Sequence, residues 1–508
     1  MSRIAITFKN LVFLLGVAIM SGCANVGPDF KTPAAPAVKA YTHSGSDSLA
    51  SSARQQLVRG LAVTPQWWQR FGSKKLDALV RQALQNNPSL AAARATLQQA
   101  EQLYAAQAGS SLYPTVGAKL SASRSKINAA AFGQQSGSTI FNLYNAGVAV
   151  NYDLDIFGGN RRALEALAAK ADYQRFQLAA ARLTVAGNVV TTAFTQAQLS
   201  QQLEATMAIL QAQQHQLAIA RKRFALGAIA RMDLLSLQTQ VEQTRATLPA
   251  LRNKLEQTNH LLATLIGQAP VVASLPQFRL SDFNLPAKLP LEVPSRLVRL
   301  RPDIQASTAL LHVATAQYDV AVSNLYPQIN LSASMGSEAL TTSALFGPGS
   351  VIWNVAGQLA QPLFNAGLRA GANAAQASLQ AAGANYRQTV LQALRNVADV
   401  LRQLDNDAEA LQAQTAADAS SQQALDLVTQ QYQLGAASYL QLLTAQQQAQ
   451  QTRIGLITAK AARLADTAAL YQAMGGGVLS LPATGSNDVH TQSVHDAGDA
   501  ITNTQRSD

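Results

Sequence analysis

The sequence predicts a mainly α-helical chain that also carries a membrane β-barrel, and three observations lead there. Long proline-free stretches repeat leucine and valine at intervals of seven, four segments of about ten residues alternate apolar with polar side chains, and the pattern occurs twice along the 508 residues. The composition agrees: 13% of residues are charged, only 6% are aromatic, and the 48% hydrophobic fraction leans on alanine. Something other than a large aromatic core organises such a chain, and close helix-helix packing suits it.

In chain order, the first element is a secretory signal over residues 1–22. Arg3 and Lys9 supply its basic start, and Leu11 to Met20 form an apolar run too short to remain as a membrane helix. Ile19-Met20-Ser21-Gly22-Cys23 then sets small residues directly before the only cysteine. A lone thiol makes no internal disulfide, so Cys23 is either incidental to an ordinary signal or the site of cleavage and acylation. The small residues resemble a bacterial lipobox and favour the second reading, with N-acyl and S-diacylglycerol groups on Cys23 and no other cofactor. Each buried methylene of such chains contributes about 0.8 kcal/mol to membrane attachment. Ala24, rather than Asp, follows Cys23, which by the same resemblance points to the outer membrane.

Residues 23–60, rich in Pro, Ser and Ala after Lys31, are expected to run extended along a surface. Two copies of one unit follow, over 61–268 and 294–475. Phe224-Ala225-Leu226-Gly227 returns as Tyr432-Gln433-Leu434-Gly435, Leu112-Tyr113-Pro114 as Leu325-Tyr326-Pro327, and Thr244-Arg245 as Thr452-Arg453. Units this long exceed a solenoid repeat, so each needs its own helices and strands. Between them, 269–293 carries Pro270, Pro276, Pro286 and Pro290, which exclude a continuous helix. The polar tail 476–508 is expected to be disordered.

Strands are predicted at about 114–124, 142–155, 327–337 and 350–363. In the first, Val116, Ala118, Leu120 and Ala122 alternate with Thr115, Lys119, Ser121 and Ser123. In the second, Tyr144, Ala146, Val148, Val150, Tyr152 and Leu154 oppose Asn145, Gly147, Asn151, Asp153 and Asp155. The duplicate sets Ile329, Leu331, Ala333 and Met335, then Val351, Trp353, Val355 and Leu359, against Gln328, Asn330, Ser332, Ser334, Asn354 and Gln358. Alternation alone fits a soluble sandwich as well as a membrane barrel, and the acyl anchor favours the barrel. Four strands cannot close, because the smallest barrels use about eight; three copies would give twelve.

Long helices are predicted at about 160–226, 231–266, 366–433 and 438–474. Leu203, Leu210, Leu217 and Phe224 recur at sevens, as do Leu234, Val241, Leu248, Leu255 and Leu262, and in the second copy Val390, Val397, Leu404 and Leu411. Pro249 should bend its helix. Gly227 and Gly435 end long helices where a left-handed residue lets the chain reverse, so each copy folds as a helical hairpin. Those turns either only reverse the chain or also dock a partner.

The net charge of +11 raises nucleic acid as a partner, but secretion argues against it and no basic stripe is interleaved with aromatics. Anionic lipid headgroups are the neighbours left. The six histidines are scattered with no metal-ligand or nucleophile spacing, so no enzyme is expected.

Taken together the residues resemble the outer-membrane factor family, the TolC-like and NodT-type efflux lipoproteins. The resemblance is carried by Cys23-Ala24-Asn25-Val26-Gly27-Pro28-Asp29-Phe30, Trp67-Trp68 with Phe71, Tyr152-Asp153-Leu154-Asp155-Ile156-Phe157-Gly158, Arg301-Pro302-Asp303-Ile304 and Gly435-Ala436-Ala437-Ser438-Tyr439-Leu440. It implies a homotrimer whose twelve-stranded barrel continues into a periplasmic α-barrel of coiled-coil hairpins. It further implies passive export of small molecules such as drugs, driven by an inner-membrane transporter of the RND type and a periplasmic adaptor (membrane fusion) protein. The adaptor would grip the tips at Leu226, Gly227 and Asp233, and at Leu434, Gly435 and Ser438. The family's periplasmic carboxylate gate falls on Asp426, while its second acidic position falls on Thr429; Asp426 as an ordinary solvated charge remains open.

Export of proteins or peptides by a type I secretion system is the alternative role. A stand-alone porin would not need helices this long, and an adaptor would not need the four strands.

Overall fold

The computed structural model describes residues 26–34, 36–38, 40–41, 55–128 and 138–477. The signal 1–22, Cys23 and the tail beyond 477 lie outside the described residues.

The chain enters through β1 (Gln56–Arg59), a 3-10 turn at Trp67–Phe71, and helices α1 (Lys74–Asn86) and α2 (Pro88–Ser111). A hairpin of β2 (Thr115–Asn128) and β3 (Ser138–Leu154) leads into the helical hairpin α3 (Gly159–Ala225) and α4 (Arg231–Leu265). After a connector with β4 (Lys288–Leu291) and α5 (Pro294–Leu300), the order returns as α6 (Pro302–Ser323), β5 (Gln328–Ala339), β6 (Val351–Ala360), α7 (Ala366–Gln433) and α8 (Tyr439–Ala473). The second half thus repeats the first element by element.

Helices α3 and α7 hold 67 and 68 residues, about 100 Å each at 1.5 Å per residue. Their heptad residues meet the returning helices: Leu210, Leu217, Leu237, Val241 and Leu248 pack together along the first hairpin. α4 runs unbroken through Pro249. The shorter α2 and α6, which the sequence did not separate from their surroundings, begin where proline can stand without losing a bond. Pro88 and Pro302 occupy first-turn positions, and the Asn87 side chain accepts the Ser89 and Leu90 amides.

Strands β2, β3, β5 and β6 form one antiparallel sheet in that order. The second strand starts at Ser138, several residues before the alternation becomes clean at Tyr144. The connector is more than a linker. β4 pairs in parallel with β1, from Gln56 opposite Lys288 to Arg59 opposite Leu291. Phe278, Phe283, Leu289 and Leu291 of the connector are buried with Trp67, Phe71, Phe194, Val397, Leu404 and Tyr471.

Seven aromatics thus share this core: Trp67, Trp68, Phe71, Phe194, Phe278, Phe283 and Tyr471. Trp67 stacks on Tyr471 at 5.7 Å, and Phe194 stands edge-on to Phe71 and Phe283 at 5.0 and 4.8 Å. Buried Arg463 of α8 fixes the same region by donating to the Gln55 side chain at 2.7 Å and to the Leu404 carbonyl.

Candidate functional site

The functional surface is spread along the whole chain, from the sheet at one end to the hairpin tips at the other. In the sheet, strand register decides what the alternation can achieve. Val116 lies opposite Val150, which lies opposite Ala333 and then Val355; the next row joins Ala118, Val148, Met335 and Trp353. The apolar set of every strand thus falls on one face, and Asn145, Asn151, Asp153, Asn330, Ser332, Ser334, Asn354 and Gln358 fall on the other. A slip of one residue in any pairing would mix the faces.

Large apolar side chains stand open on the first face, with Leu120 82% and Trp353 73% exposed in the single chain. Such a surface is stable only against lipid or protein. β2 and β6 are the edge strands of the four-stranded sheet.

At the opposite end the two hairpin turns share one geometry. Gly227 adopts φ 71° and Gly435 φ 76°. The Gly227 and Ala228 amides donate to the Phe224 and Arg223 carbonyls, as those of Gly435 and Ala436 do to Tyr432 and Gln431. Each closure throws one leucine outward: Leu226 is 83% and Leu434 85% exposed. Asp233 sits in the first turn of α4, where its charge faces the helix N-terminus. Ser438 caps α8, its hydroxyl accepting the Gln441 amide while the Gln441 side chain accepts the Ser438 amide.

The tertiary fold places both tips together. Tyr439 is buried against the first hairpin, Tyr432 stands edge-on to it at 6.3 Å, and the Arg223 guanidinium lies over the Tyr432 ring at 5.6 Å. Gln446 donates to Gln216 at 2.5 Å and Gln447 to Gln240 at 2.9 Å, tying α8 to both helices of the other hairpin.

Asp426 is exposed on α7 and lines a groove of about 670 Å³ shared with Gln201 and Gln213 of α3 and Gln446 and Arg453 of α8. Thr429 lines the same groove, its hydroxyl donating to the Leu425 carbonyl at 2.6 Å. Among the described residues no cation pairs with Asp426.

Where the sheet meets the helices, the segment from Val26 to Phe30 docks on a charged cluster that sequence reading missed. The Val26 amide donates to the Phe157 carbonyl at 3.4 Å, and Asp29 accepts from Arg162 at 2.5 Å. Arg162, 4% exposed, also donates to Glu165 at 2.6 Å and approaches Asp319 at 3.3 Å. His312 joins Glu165 at 2.7 Å and stacks on Phe30 at 4.2 Å. Gly27 adopts φ 104°, and a Cβ there would collide with the Asp319 carboxylate.

Asp319 is fully buried with no hydrogen bond to either oxygen. Burial pushes its pKa up to about 6; Arg162 opposes the rise, and the Glu165 and Asp29 charges add to it. For Glu165 burial works in the same direction, but hydrogen bonds from His312 and Arg162 win and hold its carboxyl below the usual range. One sequence signal could have found this cluster: Asp319 is the only carboxylate between Asp303 and Glu338.

Comparison with known proteins agrees with this geometry. The family model described as outer membrane efflux protein matches residues 79–268 and 293–476, one match per repeat. The pyoverdine export outer membrane protein OpmQ of Pseudomonas aeruginosa is 31% identical over 484 residues, covering 93% of this chain and 97% of that protein. The cation efflux system protein CusC of Escherichia coli is 29% identical over 477 residues, covering 92% and 98%. Among solved structures, the outer-membrane channel OprN superposes with a TM-score of 0.82 at 26% identity, covering 90% of this chain and 100% of that one. Proteins of this kind are non-enzymatic transport ducts. With both repeats matched and the relatives spanned almost end to end, the chain belongs to the outer membrane efflux protein family.

Proposed function

We propose that the chain trimerises into the exit duct of a tripartite pump, conducting small molecules such as drugs from the periplasm to the cell exterior. Three four-stranded sheets join edge to edge into a twelve-stranded barrel, and α3, α4, α7 and α8 of three copies enclose the tunnel beneath it. The observation that carries this reading is the apolar face running in register across all four strands of a sheet with two open edges. Lipid covers that face, and sister subunits satisfy the edges.

A periplasmic adaptor grips the tips through Leu226 and Leu434, with Gly227, Asp233, Gly435 and Ser438 shaping the grip. An inner-membrane transporter of the RND type supplies the energy. Acyl groups on Cys23 anchor the chain in the outer membrane, and Asp426 from three copies forms a ring that attracts cations at a constriction.

The test is complementation of a strain lacking the chain. Wild type should restore drug tolerance, and Leu226→Asp with Leu434→Asp should not, although the variant still assembles. No change in tolerance or export on deletion, or a monomeric chain soluble without detergent, would sink the reading. Cys23→Ser should abolish acyl labelling, and label that persists removes the anchor. Asp426→Ala should raise single-channel conductance or weaken divalent-cation block in a planar bilayer; unchanged traces make Asp426 a bystander.

A further inference from the structure

On β2 the apolar face of the sheet ends abruptly, while on β3 Asn142 and Ile140 stand opposite Arg124 and Lys126. Counting outward from the helices along β2, that face presents Val116, Ala118, Leu120 and Ala122, and then Arg124 and Lys126. The register carries the same face across Ile140 to Leu154 on β3, Ile329 to Ala339 on β5 and Val351 to Leu359 on β6. Of all the residues on it, Arg124 and Lys126 alone are charged. Both are exposed, and both lie at the end of the sheet away from α2, α3, α6 and α7. The face holds no carboxylate. Glu338, the one acid near this end of the sheet, lies on the polar face, where Asn145 donates to it at 3.4 Å.

A charge on the lipid side of a barrel is costly at the bilayer midplane and nearly free at headgroup level. Height places the pair at that level. Along β3 the face runs ten residues from Leu154 to Tyr144, ~34 Å of strand at ~3.4 Å per residue, or ~26 Å along the normal at a tilt of ~40°. The apolar band of such barrels is about 25 Å tall. Tyr144 stands opposite Ala122, one row below Arg124, an amphipathic ring where tail meets headgroup. Two cations whose backbones are ~7 Å apart on one face, one of them a guanidinium suited to bidentate contact, can converge on a headgroup phosphate.

We infer that Arg124 and Lys126 form a binding site for a phosphate-bearing anionic lipid at the outer rim of the sheet. The inference rests on the reading above that the sheet crosses a bilayer with its apolar face outward. Bound lipid would fix the depth of the barrel and neutralise part of the chain's positive excess.

Native mass spectrometry of the full-length channel in detergent, titrated with bis-phosphorylated lipid A, tests it. Wild type should bind lipid A at least about tenfold more tightly than phosphatidylcholine. Arg124→Gln with Lys126→Gln should lose that preference, while Arg252→Gln with Lys254→Gln on α4 keeps it. If the double variant fails to assemble, each single substitution should lower the affinity on its own. An undiminished preference in the rim variants, no preference in wild type, or full displacement by millimolar inorganic phosphate overturns the lipid site. Insertion of wild type into vesicles is scored alongside: insertion without preference overturns this inference alone, and failure to insert overturns the membrane reading with it.

Discussion

Val148→Arg is expected to destabilise the folded channel by about 2–4 kcal/mol, the cost of a cation on the lipid side near the bilayer midplane. Val148 is central in every sense that matters here. It sits on β3, an interior strand, in the row with Ala118, Met335 and Trp353, and two rows of the same face, those of Leu120 and Ala122, lie between it and Arg124. Ser334 pairs with Ala149 and Asn354 on the opposite face. Ser334→Arg should stay within about 0.5 kcal/mol of wild type, as a solvated surface substitution does. Denaturant titration of both variants refolded into lipid vesicles gives the comparison. Equal penalties on the two faces would mean that the sheet is not sorted by lipid on one side and water on the other.

The second large effect belongs to Arg162→Ala. Removing the guanidinium leaves fully buried Asp319 without its cation, and breaking a buried pair from one side costs about 3–5 kcal/mol. The loss should depend on pH in a definite direction. Burial raises the Asp319 pKa from 3.8 to about 6, so the folded chain holds that proton more tightly than the unfolded chain does. Its contribution to stability therefore falls as the pH climbs from 3.8 through about 6. Arg162 counteracts the rise, so the variant should extend this fall to higher pH.

Thermal unfolding in detergent should show a larger loss for Arg162→Ala at pH 8 than at pH 5, where Asp319 can take up a proton. Adding Asp319→Asn should recover part of the loss at pH 8. An equal loss at both values would show that Arg162 acts through Asp29 and Glu165 alone.

Much of this fold was legible because its signals are local and periodic. The sevens of Leu203, Leu210 and Leu217 and of Val390, Val397 and Leu404 mark helices without reference to anything distant. The twos of Tyr144 to Leu154 mark a strand in the same way. Gly227 and Gly435 announce their turns because a left-handed residue there is a property of a few adjacent bonds. What stayed hidden was every contact made over long separations. Asp29 meets Arg162, Glu165 meets His312, and Gln55 meets Arg463, each more than a hundred residues apart. The pairing of β1 with β4 was hidden for the same reason, and also because Pro290 reads as a break; in a two-stranded edge pairing its missing donor costs little.

By itself, then, the sequence determined the four long helices and the four strands of the large sheet, and that each of those strands has an oily and a watery side. It also determined that the unit occurs twice, since periodicity and duplication are written into neighbouring residues. Only the tertiary structure decided the register that merges four apolar sides into one face, the meeting of the two hairpin tips around Tyr432 and Tyr439, and the burial of Asp319 beneath Gly27. Those depend on which distant groups exclude water from one another, and chain closure over hundreds of residues leaves no local mark of that choice.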